Sequence, residues 1–378
     1  MPETNIGLII DTIETPAAGT EKQVVALAAG LRQSRQVNPF LCCLRLSPWL
    51  KENFSACPVF SIEVDKLFCL KAIKQVHALA KFFRAQNIQL VHTFFRDASL
   101  VGITAARLAG VPVVIAARRN KGYWHNRREI LLLKIMNRFV DGFLANSYDV
   151  KEFTHRREGV ALDKIEVIYN GFDFADYPAG AVVQKTALRN GLGIPAAAIV
   201  GVAVANLRPV KGLDILLQAL PDVLSVHPQF YLLIIGEGAQ RPRLEQLIEE
   251  LRLADRVKLL GRRLDVMSIL AACDLGILPS LSEGLPNAVI EYMAAGLPVV
   301  ATDVGGLREM VFPRNGLVPP GEIAPLSRAI TAVLHDPGAM KNQGQRSQKT
   351  ARQMFALQNC IDQHEVYYLR RLAAKKHL

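Results

Sequence analysis

The sequence predicts an α/β protein with two doubly wound, parallel-sheet domains. Three observations carry that expectation. Short apolar runs of strand length alternate with amphipathic helical stretches in both halves of the chain, the pattern of parallel sheets covered by helices. A segment rich in Gly and Pro, roughly residues 173–195, reads as a linker with a short start to the next domain. The stretch Pro279–Gly306, PSLSEGLPNAVIEYMAAGLPVVATDVGG, follows the apolar run Leu275–Leu278 and reads as loop, helix, strand and turn, one βαβ unit. With 378 residues the chain is long enough for two domains of ordinary size.

In the first half, strands are expected at Ile6–Ile10, Phe40–Leu44, Val59–Val64, Gln89–His92, Val111–Ile115, Gly142–Asn146 and Ile165–Ile168. Helices fall between them at Glu21–Arg32, Ile73–Arg84 and Ala98–Ala109. In the second half, strands at Ile199–Ala205, Tyr231–Ile235, Val257–Leu260 and Leu275–Leu278 alternate with helices at Leu213–Val226, Arg243–Leu251 and Val266–Ala272. Ile323–Leu334 and Leu357–Ala374 read as late helices. The expected domains are residues 1–175 and 176–355, with 356–378 a C-terminal helix packing back toward the first domain.

Half of the residues are hydrophobic, and no run of eighteen apolar residues offers a transmembrane helix. The beginning MPETNIGLIIDTIET lacks the basic region of a secretory signal. Six cysteines form no C-x-x-C pair, which suggests buried free thiols in a reducing cytoplasm. A net charge of +11 points to an acidic partner. Nucleic acid is one such partner, but no RRM, KH or zinc pattern is present and aromatics are few, so none is expected.

The chemistry is concentrated in the second half. Ser280 and Ser282 offer helix N-caps, Gly284 allows close backbone approach, and Gly296 with Pro298 stops the helix. Unpaired N–H groups at such a helix start favour an anion. Glu283 and Glu291 are eight residues apart, about 12 Å if helical. They cannot grip one atom, but they can hold two ends of an elongated ligand through its hydroxyls. The pattern fits a nucleotide sugar, with diphosphate in the middle. Upstream, VAVANLRPVKGLD places Arg208 and Lys211 after a strand, where a guanidinium can fork onto phosphate and an ammonium acts as a point charge. IIGEGAQRPR at 234–243 imitates a dinucleotide fingerprint. Arg241 stands where its third glycine belongs, and no acidic residue ends a strand about twenty residues on, so nicotinamide is not expected. A glycoside hydrolase would set two carboxylates about 5–10 Å apart and leave Arg208 and Lys211 without purpose.

The stretch SEGLPNAVIEYMAAGLPVVATDVGG closely resembles the E-x7-E signature of the family-four retaining glycosyltransferases ("glycosyl transferases group 1"), which have the GT-B fold. The resemblance runs from about Ile6 to Ile330. It implies two Rossmann-like domains facing a central cleft, with nucleotide-sugar donor on the C-terminal domain and acceptor on the N-terminal one. By that resemblance Arg208 and Lys211 hold the diphosphate and stabilise its leaving charge, with Glu283 as third catalytic residue. The donor would also meet Gly236 in the G-x-G turn, Arg263 and Leu264 beside the base, Gly284, Leu285, Pro286, Asn287 and Glu291. Ala18-Gly19-Thr20-Glu21 stands for the family's G-G-x-E, so that Gly19 approaches the donor phosphates.

Val91-His92-Thr93-Phe94 resembles the family's V-H-x-H with Phe94 for the second His, and Ala117-Arg118-Arg119-Asn120 replaces a later His. A histidine base is thus not evident, and the departing phosphate oxygen of this class can take the acceptor's proton. His92, Arg118 and Arg119 are the acceptor-side candidates. Asn146-Ser147 and Asn170-Gly171-Phe172-Asp173 match the family's N-S and P-N-G-x-D, with Tyr169 for Pro. No D-x-D occurs, so no metal and no cofactor is expected. The implied reaction moves a hexose from a nucleotide-diphosphate sugar, UDP first among the bases, to a lipid-linked or polysaccharide acceptor in envelope or exopolysaccharide synthesis. A soluble acceptor is the alternative.

Residues 118–138 carry seven cations against Glu129 alone. Arg127, Lys134 and Arg138 share one helical stripe, opposite Ile130, Leu132, Leu133, Met136 and Phe139, with Tyr123 and Trp124 just before. Such a helix can lie on an anionic leaflet. The expected place is therefore cytoplasmic and peripheral to the membrane.

Overall fold

The structure is a computed structural model that describes residues 4–15, 19–34, 36–64, 69–122, 126–176, 181–312 and 314–376. The chain forms two compact units, Met1–Gly171 with Leu357–Leu378, and Phe172–Ala356.

Unit 1 runs β1 (Thr4–Ile10), α1 (Gly19–Gln33), β2 (Val37–Cys43), α2 (Pro48–Asn53), β3 (Val59–Ser61), α3 (Leu70–Ala85), β4 (Leu90–Thr93), α4 (Arg96–Ala109), β5 (Val113–Arg118), α5 (Arg127–Met136), β6 (Gly142–Ala145), α6 (Tyr148–Glu158) and β7 (Ile165–Val167). The sheet is parallel, in the order β3-β2-β1-β4-β5-β6-β7. Strand order reverses between β1 and β4, the switch point at which doubly wound sheets leave a crevice. One face buries Val91, Val114, Phe143 and Phe83. The other buries Leu8, Leu41, Ile115, Leu27 and Tyr368.

Unit 2 runs α7 (Ala181–Gly191), β8 (Ile199–Val204), α8 (Leu213–Val226), β9 (Phe230–Ile235), α9 (Arg241–Glu250), β10 (Val257–Leu259), α10 (Val266–Ala271), β11 (Leu275–Leu278), α11 (Asn287–Ala294), β12 (Val299–Thr302), α12 (Leu307–Met310), β13 (Leu317–Val318), α13 (Ile323–Leu334) and α14 (Pro337–Met354). Its parallel sheet has the order β10-β9-β8-β11-β12-β13, with the switch point between β8 and β11. The chain then ends in α15 (Leu357–Lys376). That helix belongs to unit 1, where Ile361, Tyr367, Tyr368 and Leu372 are buried.

Three sequence expectations are refined or corrected. The short start to the next domain expected within 173–195 is the helix α7. Arg189 of that helix donates to the carbonyls of Ala272 and Ala198 and pairs with Asp274 at 2.6 Å, which moors the helix to unit 2. Ser280 and Ser282 cap nothing. The helix begins later, behind Pro286, with no side-chain cap. Glu283 therefore lies in the loop, and the two glutamates do not share one helix. Third, α5 turns Leu133 inward, and Leu131, Ile135 and Phe139 are exposed at 60%, 44% and 49%. Phe139 was expected on the opposite, apolar side with Leu133. Tyr123 and Trp124 lie outside the described residues.

Candidate donor site in the second unit

The loops after β8 and β11 meet at the switch point of unit 2. Leu281 N–H donates to the Val210 carbonyl at 2.8 Å. Gly212 has φ +60, and a Cβ there would stand 2.2 Å from the Pro279 carbonyl oxygen. Only glycine admits both that backbone conformation and that approach. The result brings together two side chains 72 residues apart: Lys211 Nζ donates to Glu283 Oε1 at 2.6 Å. Ser280 Oγ, fully buried, donates to the same oxygen at 2.6 Å. Ser280 is itself held by Thr302, whose hydroxyl donates to its carbonyl. Glu283 Oε1 is thus saturated, while Oε2 has no partner among the described residues. Arg208 is exposed beside the pair, and its guanidinium has no partner there either.

Around this centre the glycine turns interlock. Gly306 N–H donates to the Gly284 carbonyl at 2.7 Å, and Gly305, at φ +61, lies so near the Glu283 and Gly284 carbonyls that no Cβ fits. Leu285 and Pro286 are buried, whereas Asn287 and Glu291 are half-buried in the first two turns of α11. Gly236 N–H donates to the Gly261 carbonyl, which ties the turn after β9 to the loop after β10. In that loop Arg263 forms a two-point ion pair with Asp265, and Leu264 is 89% exposed. Sequence reasoning missed Tyr292. Its hydroxyl accepts from Val204 N–H at 2.6 Å and its ring lies on Gly276, so α11 is pinned to the end of β8.

In unit 1, Gly19 is the first residue of α1. Arg118 is absorbed by the fold: it donates to both oxygens of Glu158 and to Asn137, and lies 5.2 Å from the Phe143 ring centroid. Arg119 is half-buried and donates to Asn170 Oδ1 at 2.6 Å. Burial lowers it to about 10, so it is still a cation at neutral pH. His92 is 1% exposed and bonds Tyr368 through Nδ1 at 2.7 Å. Burial, then His364 and Arg119, hold it well below the usual imidazole range, so it is neutral. Phe94 packs on it, with ring centroids 4.2 Å apart. No group of three or more His, Cys, Asp or Glu side chains suited to a metal ion occurs among the described residues, and no described helix is long and apolar enough to cross a membrane.

Two parallel, doubly wound domains, the second with a cation–carboxylate pair at its switch point, place the chain in the GT-B architecture. An Anabaena protein, HepE, solved with UDP-glucose, is 25% identical with a TM-score of 0.84 over 97% of this chain and 100% of that one. A sucrose-phosphate synthase from Thermosynechococcus elongatus has a TM-score of 0.84 at 22% identity, covering 98% and 100%. Residues 184–350 match the family model "Glycosyl transferases group 1", and residues 17–176 match "Glycosyltransferase Family 4". The chain belongs to the group 1 glycosyltransferases. A Corynebacterium glutamicum GDP-mannose-dependent phosphatidylinositol monomannoside mannosyltransferase is 30% identical over 69% of this chain and 71% of its own length. An Escherichia coli galactosyltransferase acting on GlcNAc-diphosphoundecaprenol is 28% identical, and the match spans 63% of each chain.

Proposed function

We propose that the protein transfers a hexose from a nucleotide-diphosphate sugar, with retention and without a metal, to a lipid-linked or polysaccharide acceptor at an anionic membrane surface. The observation that carries the transferase reading is the Lys211–Glu283 pair beside the unpartnered Arg208 at the unit 2 switch point. Arg208 and Lys211 hold the diphosphate and stabilise the charge that develops as it leaves, a role worth several kcal/mol when such groups are preorganised. Glu283, with Oε1 already committed, offers Oε2 to hydroxyls of the sugar. Glu291 holds the ribose, the backbone at Arg263 and Leu264 holds the base, and the departing phosphate oxygen takes the acceptor's proton on the same face. On the acceptor side, Arg119 suits an anionic acceptor better than Arg118, whose guanidinium is already engaged, and His92 supports that region from the core.

The membrane reading draws on α5. Leu131 and Ile135 on its outer side, and Phe139 in the 3-10 turn that follows, recur at intervals of four among the exposed Arg127, Arg128, Lys134 and Arg138. Apolar side chains flanked by cations suit an anionic interface. Lipid-linked acceptors in envelope or exopolysaccharide synthesis agree with this surface, and the names of the two bacterial relatives agree with it. Transfer to a small soluble acceptor is the second reading: relatives include an N-acetyl-alpha-D-glucosaminyl L-malate synthase.

The test is a thermal-shift screen of UDP-, GDP- and ADP-sugars, followed by transfer to a lipid extract with the anomer of the product assigned by NMR. One donor, UDP-hexose by expectation, should stabilise according to RT ln(1 + [L]/Kd). No stabilisation by any nucleotide sugar would sink the reading.

A further inference from the structure

Unit 1 carries a cavity of its own, with a volume of about 530 Å³, along the outer face of α6. Val150, Thr154 and Glu158 turn that helix into the core. On its other side Tyr148, Glu152 and Arg156, each followed by one more lining residue (Asp149, Phe153 and Arg157), recur at helical spacing and form the cavity wall. Lys121, from the chain that follows β5, closes it. From Tyr148 to Arg157 the wall runs about 13 Å at 1.5 Å per residue.

Most of these side chains are already fixed. Lys121 Nζ pairs with Asp149 Oδ2 at 2.6 Å, and Arg156 pairs with Glu152 at 3.3 Å. The Tyr148 ring is 58% exposed, yet it stands edge-on to Tyr169 with centroids 6.4 Å apart. Phe153 is half-buried. Arg157 is exposed and has no partner among the described residues. Each ion pair sets donors beside acceptors, and a hydroxyl, which both donates and accepts, can use both. An exposed aromatic ring offers an apolar face with a polar tip, which suits the C–H side of a sugar ring. Three cations against two carboxylates leave one positive charge over, and Arg157 is the cation without a partner. A bare anion would use the cations and leave the rings and carboxylates without a role.

We propose that this groove binds an acidic oligosaccharide. One sugar ring lies on Tyr148, ring hydroxyls meet the two ion pairs, and a carboxylate or phosphate group of the sugar forks onto Arg157. This rests on the glycosyltransferase reading and deepens it: unit 1 holds the sugar chain of the acceptor as well as the residue that reacts.

Calorimetry on the full chain tests this with four probes: trigalacturonate, a phosphorylated mannopentaose, neutral maltotriose and inorganic phosphate. The first two distinguish a carboxylate from a phosphate as the charged group. At least one of them should bind about 10-fold or more tighter than maltotriose, and less tightly as salt is raised. Tyr148→Ala and Arg157→Glu should each weaken that binding by about 10-fold, the scale of one lost ring contact or charged hydrogen bond. Both residues are exposed, so melting temperature and nucleotide-sugar affinity should stay at wild-type values. No binding by either acidic sugar, equal binding by maltotriose, or an affinity that either variant leaves unchanged overturns the proposal. Inorganic phosphate that binds as tightly as the acidic sugars reduces the groove to a plain anion patch and overturns it too. A wild-type protein that binds no nucleotide sugar instead defeats the underlying glycosyltransferase reading, so the two failures are distinguishable.

Discussion

Lys211 and Asp11 are two charged residues with opposite situations, and each sets a prediction. Lys211→Ala removes the cation that pairs with Glu283. Turnover should drop by about 10²-fold or more, since fixed charge at a leaving group contributes several kcal/mol. Steady-state kinetics with the preferred donor checks this, and a rate within twofold of wild type contradicts it. Asp11 makes a prediction about stability of the opposite sense. Its folded value, about 6, lies above the ordinary 3.8 because burial disfavours the charge. Between those values the folded state binds more protons than the unfolded one, so this group's contribution falls as pH rises from about 4 to 6. Asp11→Asn should therefore melt higher than wild type at pH 8, with the gain fading toward pH 4.

At the scale of elements, α11 and α5 carry the testable content. Tyr292→Phe leaves the Val204 N–H without the hydroxyl that accepts from it. The loss should be about 1–3 kcal/mol, read by urea unfolding, with weaker nucleotide binding because α11 carries Glu291. For α5, Leu131, Ile135 and Phe139 changed together to Ser should abolish co-sedimentation with vesicles containing anionic lipid at low salt. Arg127, Lys134 and Arg138 changed to Glu should weaken it in a salt-dependent way. Equal pelleting of the Ser variant and wild type would remove the membrane role. The sequence displayed these elements unevenly. Most strands were legible because buried parallel strands are continuous apolar runs. The start of α6 at Ser147 and of α14 at Asp336-Pro337 also carried readable capping signals, though neither helix was expected. The outward side of α5 was not legible. Apolar residues occupy both of its sides, so periodicity alone does not choose between Leu131 and Leu132. The Lys211–Glu283 and Arg118–Glu158 pairs were also hidden, because each joins residues that only the sheet order brings together. Within the motif at 279–306, Ser280 looked like a helix cap, whereas it donates to Glu283.

At the scale of the molecule, unit 1 is built from two separated pieces of chain, and its core is incomplete without α15. Removing residues 357–376 would strip Ile361, Tyr367, Tyr368 and Leu372 from one face of the sheet and leave His92 without its Tyr368 bond. Limited proteolysis of that truncation should show unit 1 degraded first, with Phe172–Ala356 the slower fragment. Equal protection of both would show that α15 is dispensable. The same discontinuity has a consequence in time. Between Gly171 and Leu357 the ribosome must add the 185 residues from Phe172 to Ala356. At about 5–20 residues per second, that takes roughly 10–40 s. The second unit is thus complete before the first, and during the interval the part of the N-terminal sheet that α15 will cover stays open. The order of birth is the reverse of the order in which these units finish folding, which makes the newborn chain a natural client for chaperones at the exit tunnel.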